Sequence, residues 1–169
     1  MKTLPTPTQV ASYVMWWMAE NDEYKLSHSK AHVLTAYAVA GIYQATGDDI
    51  GVVRAGQQHP IVSGSWAHID PDGDGEQLYY SECQTCRNTF AAKIEEHFEN
   101  QEQYLFENQS HLGVVEDVLL IYGCQSPEQV VALSRWSDEW KEKKSQALVM
   151  DKAKIPVFSP IPKEGEGKQ

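Results

Sequence analysis

Apolar residues return at helical spacing from the start of the chain. Val10, Tyr13, Val14, Trp17 and Met18 stand at i, i+3, i+4, i+7 and i+8, which predicts a helix buried along one stripe and capped at its start by Thr6 and Pro7. After the polar break Asn21-Asp22-Glu23, a second helix is expected from about Ser29. It carries Val33, Leu34, Tyr37, Ala38 and Ile42, with Ala36, Ala40 and Gly41 small enough for close helix contact and Gly47 as its stop. Between Ile50 and Ser65, glycines and Pro60 interrupt short apolar runs, predicting a loop with one or two short strands. Pro60 is read as the start of a short helix reaching Trp66. Phe90, Ile94, His97, Phe98 and Leu105 predict an amphipathic helix over about Asn88 to Glu107, its outer face acidic.

Val114, Val115, Val118, Leu119, Leu120 and Ile121 make a segment from about Gly113 to Tyr122 apolar on most sides, so this helix is expected at the centre of the fold, with Gly123 ending it. Ser126-Pro127-Glu128-Gln129 combines a cap residue, a proline at the first helical position and Gln three residues after the Ser. This capping box opens a helix that buries Val130, Val131 and Leu133. Trp136 and Trp140 follow, leading into a lysine-rich segment from Lys141 to Lys154. The end, IPVFSPIPKEGEGKQ, reads as surface chain that frays after Pro162. The fold class expected is mainly α: a compact bundle of about five helices with a small β hairpin or short strands. Residues 1–157 form a single domain with an acidic elaboration at 70–111, followed by a flexible tail at 158–169.

Length and composition support this picture. The 169 residues are one domain's worth, and 41% hydrophobic residues with five Trp, eight Tyr and four Phe are too rich for disorder. No apolar run approaches the roughly 20 residues that span a bilayer. A net charge of −10 repels phosphate backbones and anionic lipid, which disfavours direct nucleic-acid or membrane binding and favours a basic partner. Three cysteines and an N-terminus without a signal-peptide core lead to the expectation of a reducing, cytoplasmic compartment.

Three groups of residues bear on chemistry. Asp70, Asp72, Asp74, Gly75 and Glu76 match the first half of an EF-hand calcium loop, but its twelfth position is Ser81 where a bidentate Glu belongs. A solvated acidic turn is the other reading. Cys83 and Cys86 form a CxxC pair suited to zinc, with His97, His111 and Cys124 as further donors, although no second half-site is written nearby. The remaining group is a distribution of charge: from Asp70 to Glu107 ten acidic residues face Arg87 and Lys93, a local net charge of −8. Glu95, Glu96, Glu99 and Glu102 lie on the outer face of the expected acidic helix there. Such a surface steers a basic protein or stands in for DNA in blocking a nuclease; otherwise it is a solvated face. No GxSxG, HExxH or phosphate-binding loop is present, so no enzyme is expected, the alternative being a metal-binding protein or metal-dependent enzyme built on the acidic loop or the cysteines. No cofactor is expected, unless calcium binds at Asp70–Glu76 or zinc at Cys83 and Cys86.

The order of short motifs resembles the Panacea domain, the family of SocA-like antitoxins and phage-associated proteins. Val10-Ala11-Ser12-Tyr13 opens the first helix, and KAHVLTAYA over Lys30 to Ala38 keeps Lys30, Leu34, Tyr37 and Ala38 of the family's second helix. His59-Pro60-Ile61 with Trp66, Tyr122-Gly123, Leu133-Ser134-Arg135, Trp140-Lys141 and Ile155-Pro156 are similar to its later motifs. Val33, His59 and Arg135 stand where the family has Lys, Gly and His. The resemblance spans residues 8–69 and 112–157. It implies a non-catalytic helical module that neutralises a toxin by contact or delivers it to a protease. The partner expected is a toxin or another basic, nucleic-acid-binding protein, with self-association left open. Candidate contact residues are Trp16, Lys30, His59, Trp66, Arg135 and Trp136 with the four glutamates. Trp16 leads them because it lies off the stripe that buries Trp17.

Overall fold

The computed structural model describes residues 4–21, 28–63 and 109–158. These residues are mainly helical, with five α-helices and a two-stranded antiparallel sheet. Helix α1 spans Pro7–Asn21 and α2 His28–Thr46; strands β1 and β2 span Val53–Ala55 and Pro60–Val62. Helices α3, α4 and α5 cover Gln109–Tyr122, Pro127–Ser134 and Asp138–Lys143. Short 3-10 turns follow at Lys144–Gln146 and Lys152–Lys154. The expected helix at Asn88–Glu107 lies outside the described residues. The fifth described helix is instead α5, in the stretch from Trp136 to the lysine-rich segment, to which the sequence assigned no element of its own.

The helix ends follow the local chemistry. The Thr6 hydroxyl accepts from the Gln9 amide at 3.2 Å while the Gln9 side chain accepts from the Thr6 amide at 2.7 Å, a capping box with Pro7 at the first helical position. Ser126 and Gln129 repeat that arrangement at α4. Gly47 ends α2 with φ of +80°, its amide returning to the Tyr43 carbonyl at 2.8 Å.

Helix α2, not α3, is the centre of the core. Ala31, Val33, Leu34, Ala36, Tyr37 and Ala38 to Ala40 are all buried, and α2 touches α1, α3, α4, both strands and the turn at Lys152–Lys154. Its alanines and Gly41 account for this, because small side chains let several neighbours approach one helix. At Gly41 a Cβ would meet Val114 of α3 at 3.0 Å and the Phe158 ring at 3.2 Å. In α3, by contrast, Leu120 and Ile121 face solvent.

Two further expectations are corrected. Pro60 opens β2 rather than a helix: it pairs with Ala55 at the strand's first position, where a missing amide is tolerated. The stretch that begins at Ile155 is anchored in the core rather than lying wholly on the surface, with Ile155 and Val157 buried. Ile155, before Pro156, has extended backbone, and side chains of α2 and α3 bind this stretch. Gln44 donates to the Lys152 and Ile155 carbonyls at 2.8 and 2.6 Å, and the Tyr122 hydroxyl donates to the Val157 carbonyl. Upstream, the Ala55 amide donates to Leu148 and the Met150 amide to Val53, placing β1 between β2 and this segment.

Candidate functional site

The turn joining β1 to β2, Gly56 to His59, is held by side chains from three elements. The Trp140 indole of α5 donates to the Gly56 carbonyl at 2.9 Å. The Arg135 guanidinium donates to the Gln58 carbonyl at 2.6 Å and to its side-chain oxygen at 3.1 Å. His59 is buried, its Nδ1 donating to the Pro60 carbonyl at 2.9 Å, and its ring stacks on His32 of α2 with centroids 5.4 Å apart.

The link between α4 and α5 sets what this site presents. Arg135 caps α4, its amide reaching the last-turn carbonyls, and the Trp136 amide bonds the Leu133 carbonyl at 3.1 Å. Ser137 then caps α5 by accepting from the Trp140 amide at 3.2 Å. With helix ends fixed on both sides, Trp136 is directed outward and is 52% exposed, whereas Trp140 is buried under the Lys144 ammonium at 4.7 Å. Arg135 and Trp136 thus share one rigid edge beside the turn.

The other candidates are placed differently. Lys30 is wholly buried and donates to the Gly123 carbonyl just past α3, where a cation complements the helix dipole. Lys30 and His59 are therefore interior residues rather than surface contacts. Trp16 is half-buried against the core, its ring 5.7 Å from that of Tyr13, because α1 is buried well beyond its predicted stripe: Ala11, Ser12 and Met15 are enclosed as well. Trp66, Asp70, Asp72, Asp74, Glu76, Cys83, Cys86, Glu95, Glu96, Glu99 and Glu102 lie outside the described residues. Of the further zinc donors, His97 does too. His111 instead meets Asp48 at 2.7 Å inside the fold, and Cys124 is an exposed free thiol. Among the described residues no group of three or more His, Cys, Asp or Glu side chains is placed to hold a metal ion, and no helix is long and apolar enough to cross a membrane.

Three tyrosines titrate above their ordinary range. Burial, reinforced by the Glu116 carboxylate that accepts its proton at 3.4 Å, pushes Tyr13 to about 12. Burial also raises Tyr37 and Tyr122, whose rings lie 4.9 Å apart, and Tyr122 adds to the effect on Tyr37. These phenols stay neutral at physiological pH, and those of Tyr13 and Tyr122 act as structural donors.

Sequence reasoning missed a second surface, the outer side of α3. Leu120 is 74% exposed and Ile121 44%, with Glu116 and Asp117 one turn before them. The signal was there: a helix apolar on most sides either fills a centre or shows apolar residues to solvent. No protein-family model, curated protein or solved structure matches the chain.

Proposed function

We propose that this chain is a non-catalytic protein-binding module that neutralises a partner protein, antitoxin-like, as its resemblance to the Panacea domain implies. The observation that supports the reading most is Trp136, an exposed indole on a rigid edge beside Arg135. Large aromatics and arginines are the side chains on which binding energy concentrates, and an anchor already fixed by flanking caps loses little freedom when a partner covers it. The net charge of −10 favours a basic partner and raises its encounter rate at low salt.

The test is rescue of growth by co-expression with the product of a neighbouring gene that arrests it. Trp136→Ala is expected to abolish rescue while leaving the melting temperature within about 2 °C, since an exposed side chain contributes little to stability. Undiminished rescue by a folded Trp136→Ala protein contradicts the reading.

The concentration of acid in residues 70–107 favours a second reading, an acidic inhibitor that occupies the DNA site of a defence nuclease. Reversing charge at Glu95, Glu96, Glu99 and Glu102 removes inhibition under that reading. Under the antitoxin reading, rescue through Trp136 survives the reversal.

A further inference from the structure

The exposed side of α3 combines three features. Glu116 and Asp117 form an acidic pair, Leu120 and Ile121 an apolar pair one turn later, and Gly113 a small residue one turn earlier, at i, i+3, i+4, i+7 and i+8 counted from Gly113 on one face. A Cβ at Gly113 would meet nothing among the described residues within 4 Å, and the position is only partly buried. Glycine inside a helix is unfavourable, and no neighbour among the described residues requires it here. A break in a local rule of this kind is expected at functional sites.

We propose that this face is a docking groove for a basic amphipathic helix of a partner protein. The partner's apolar side chains cover Leu120 and Ile121, its lysines or arginines meet Glu116 and Asp117, and its backbone crosses close over Gly113. Charge complementarity selects this occupant. Helix α3 has no Lys or Arg anywhere in its sequence, so a second copy of the chain would set acid against acid across a two-fold contact, and each copy carries −10. A membrane or nucleic acid is repelled by the same charge. The proposal rests on the reading that the chain acts by binding protein, but it assigns a different surface from Trp136 and gives the chemistry of what lies on it.

The test uses the full chain labelled with 15N and two synthetic peptides of about 18 residues, made of Leu and Lys alone. One places Leu at helical spacing and the other scrambles the same composition. The patterned peptide is expected to bind at least tenfold more tightly and to shift amide signals between Gly113 and Cys124. Leu120→Ser with Ile121→Ser, Glu116→Lys with Asp117→Lys, and Gly113→Leu are each expected to weaken it at least tenfold in chains whose spectra remain folded. Glu116 also accepts from the Tyr13 hydroxyl, so the comparison is made among variants whose melting temperatures match that of the natural chain. Trp136→Ala should leave peptide affinity unchanged, so loss of rescue at Trp136 and loss of peptide binding at α3 fail independently. Equal binding of the two peptides, no binding, or shifts confined to other elements overturns the proposal. So does a concentration-dependent dimer of the free chain that Leu120→Ser with Ile121→Ser dissolves.

Discussion

Two glycines ten positions apart should respond to alanine with opposite sign. At Gly113, within α3, the new methyl meets none of the described residues, so Gly113→Ala removes the conformational freedom that glycine gives the unfolded chain without a clash among them. It should stabilise by about 0.5–1 kcal/mol. At Gly123, just past the helix, the same methyl would lie 2.3 Å from the Leu119 carbonyl oxygen and 2.5 Å from the edge of the Trp17 indole. Neither is the free end of a flexible chain: one is helix backbone, the other a ring packed between α1 and α3. Any shift also disturbs the bond from the Gly123 amide to Leu119 at 2.7 Å and the carbonyl that receives the Lys30 ammonium. Overpacking of this kind costs about 1–3 kcal/mol and a weakened buried hydrogen bond about 1 more, so Gly123→Ala should destabilise by about 2–4 kcal/mol. Urea unfolding followed by tryptophan fluorescence and far-ultraviolet circular dichroism measures both. With a slope of roughly 2 kcal/mol/M, the midpoint should rise by roughly 0.3–0.5 M for Gly113→Ala and fall by roughly 1–2 M for Gly123→Ala, the slopes unchanged. A destabilised Gly113→Ala chain would show that position to be enclosed and remove the gap on α3. A neutral Gly123→Ala would show that α1 and α3 do not meet there.

Other consequences are independent of that pair. Ala147 ends the turn at Lys144–Gln146 in the left-handed region, φ 50° and ψ 41°, so Ala147→Gly should stabilise by about 0.5–1 kcal/mol, read as a rise in the urea midpoint; a fall would refute the strain. Tyr13, with its pKa raised from 10.0 to about 12, makes stability depend on alkaline pH. Below pH 10 the phenol is neutral in both states and its contribution is fully present. From pH 10 upward the unfolded chain loses the proton first, so stability declines until Tyr13 itself ionises near 12. Thermal melts across this window should show that decline and Tyr13→Phe should lessen it; a Tyr13 phenolate absorbance rising near pH 10 in the folded protein contradicts the shift.

Local signals in the sequence were reliable where one residue type solves one backbone problem. Thr6, Ser126, Pro7, Pro127 and Gly47 each satisfy or end a helix through their own side chain or φ, so both helix starts and the stop of α2 were legible. What depended on three-dimensional neighbours was not. Total hydrophobicity pointed to α3 as the centre, yet centrality went to α2, whose small residues admit more neighbours. Prolines near Ile155 suggested exposed chain, because their fixed φ was visible and the side chains of Gln44 and Tyr122 that bind that backbone were not. Arg135 and Trp136, named separately as candidate contacts, lie side by side on one edge. Their exposure follows from the tight link between α4 and α5, which hydrophobic spacing alone did not separate. Trp16 was misjudged because a stripe describes a helix covered from one side, whereas α1 is enclosed beyond that stripe.

Native mass spectrometry of the full chain, co-expressed with the products of its neighbouring genes, tests partner binding most directly. A stoichiometric complex with a basic protein is predicted, present with the natural chain and absent with Trp136→Ala. The chain flying alone, or carrying only a metal ion, would contradict the neutraliser reading and return attention to Asp70–Glu76 and the cysteine pair.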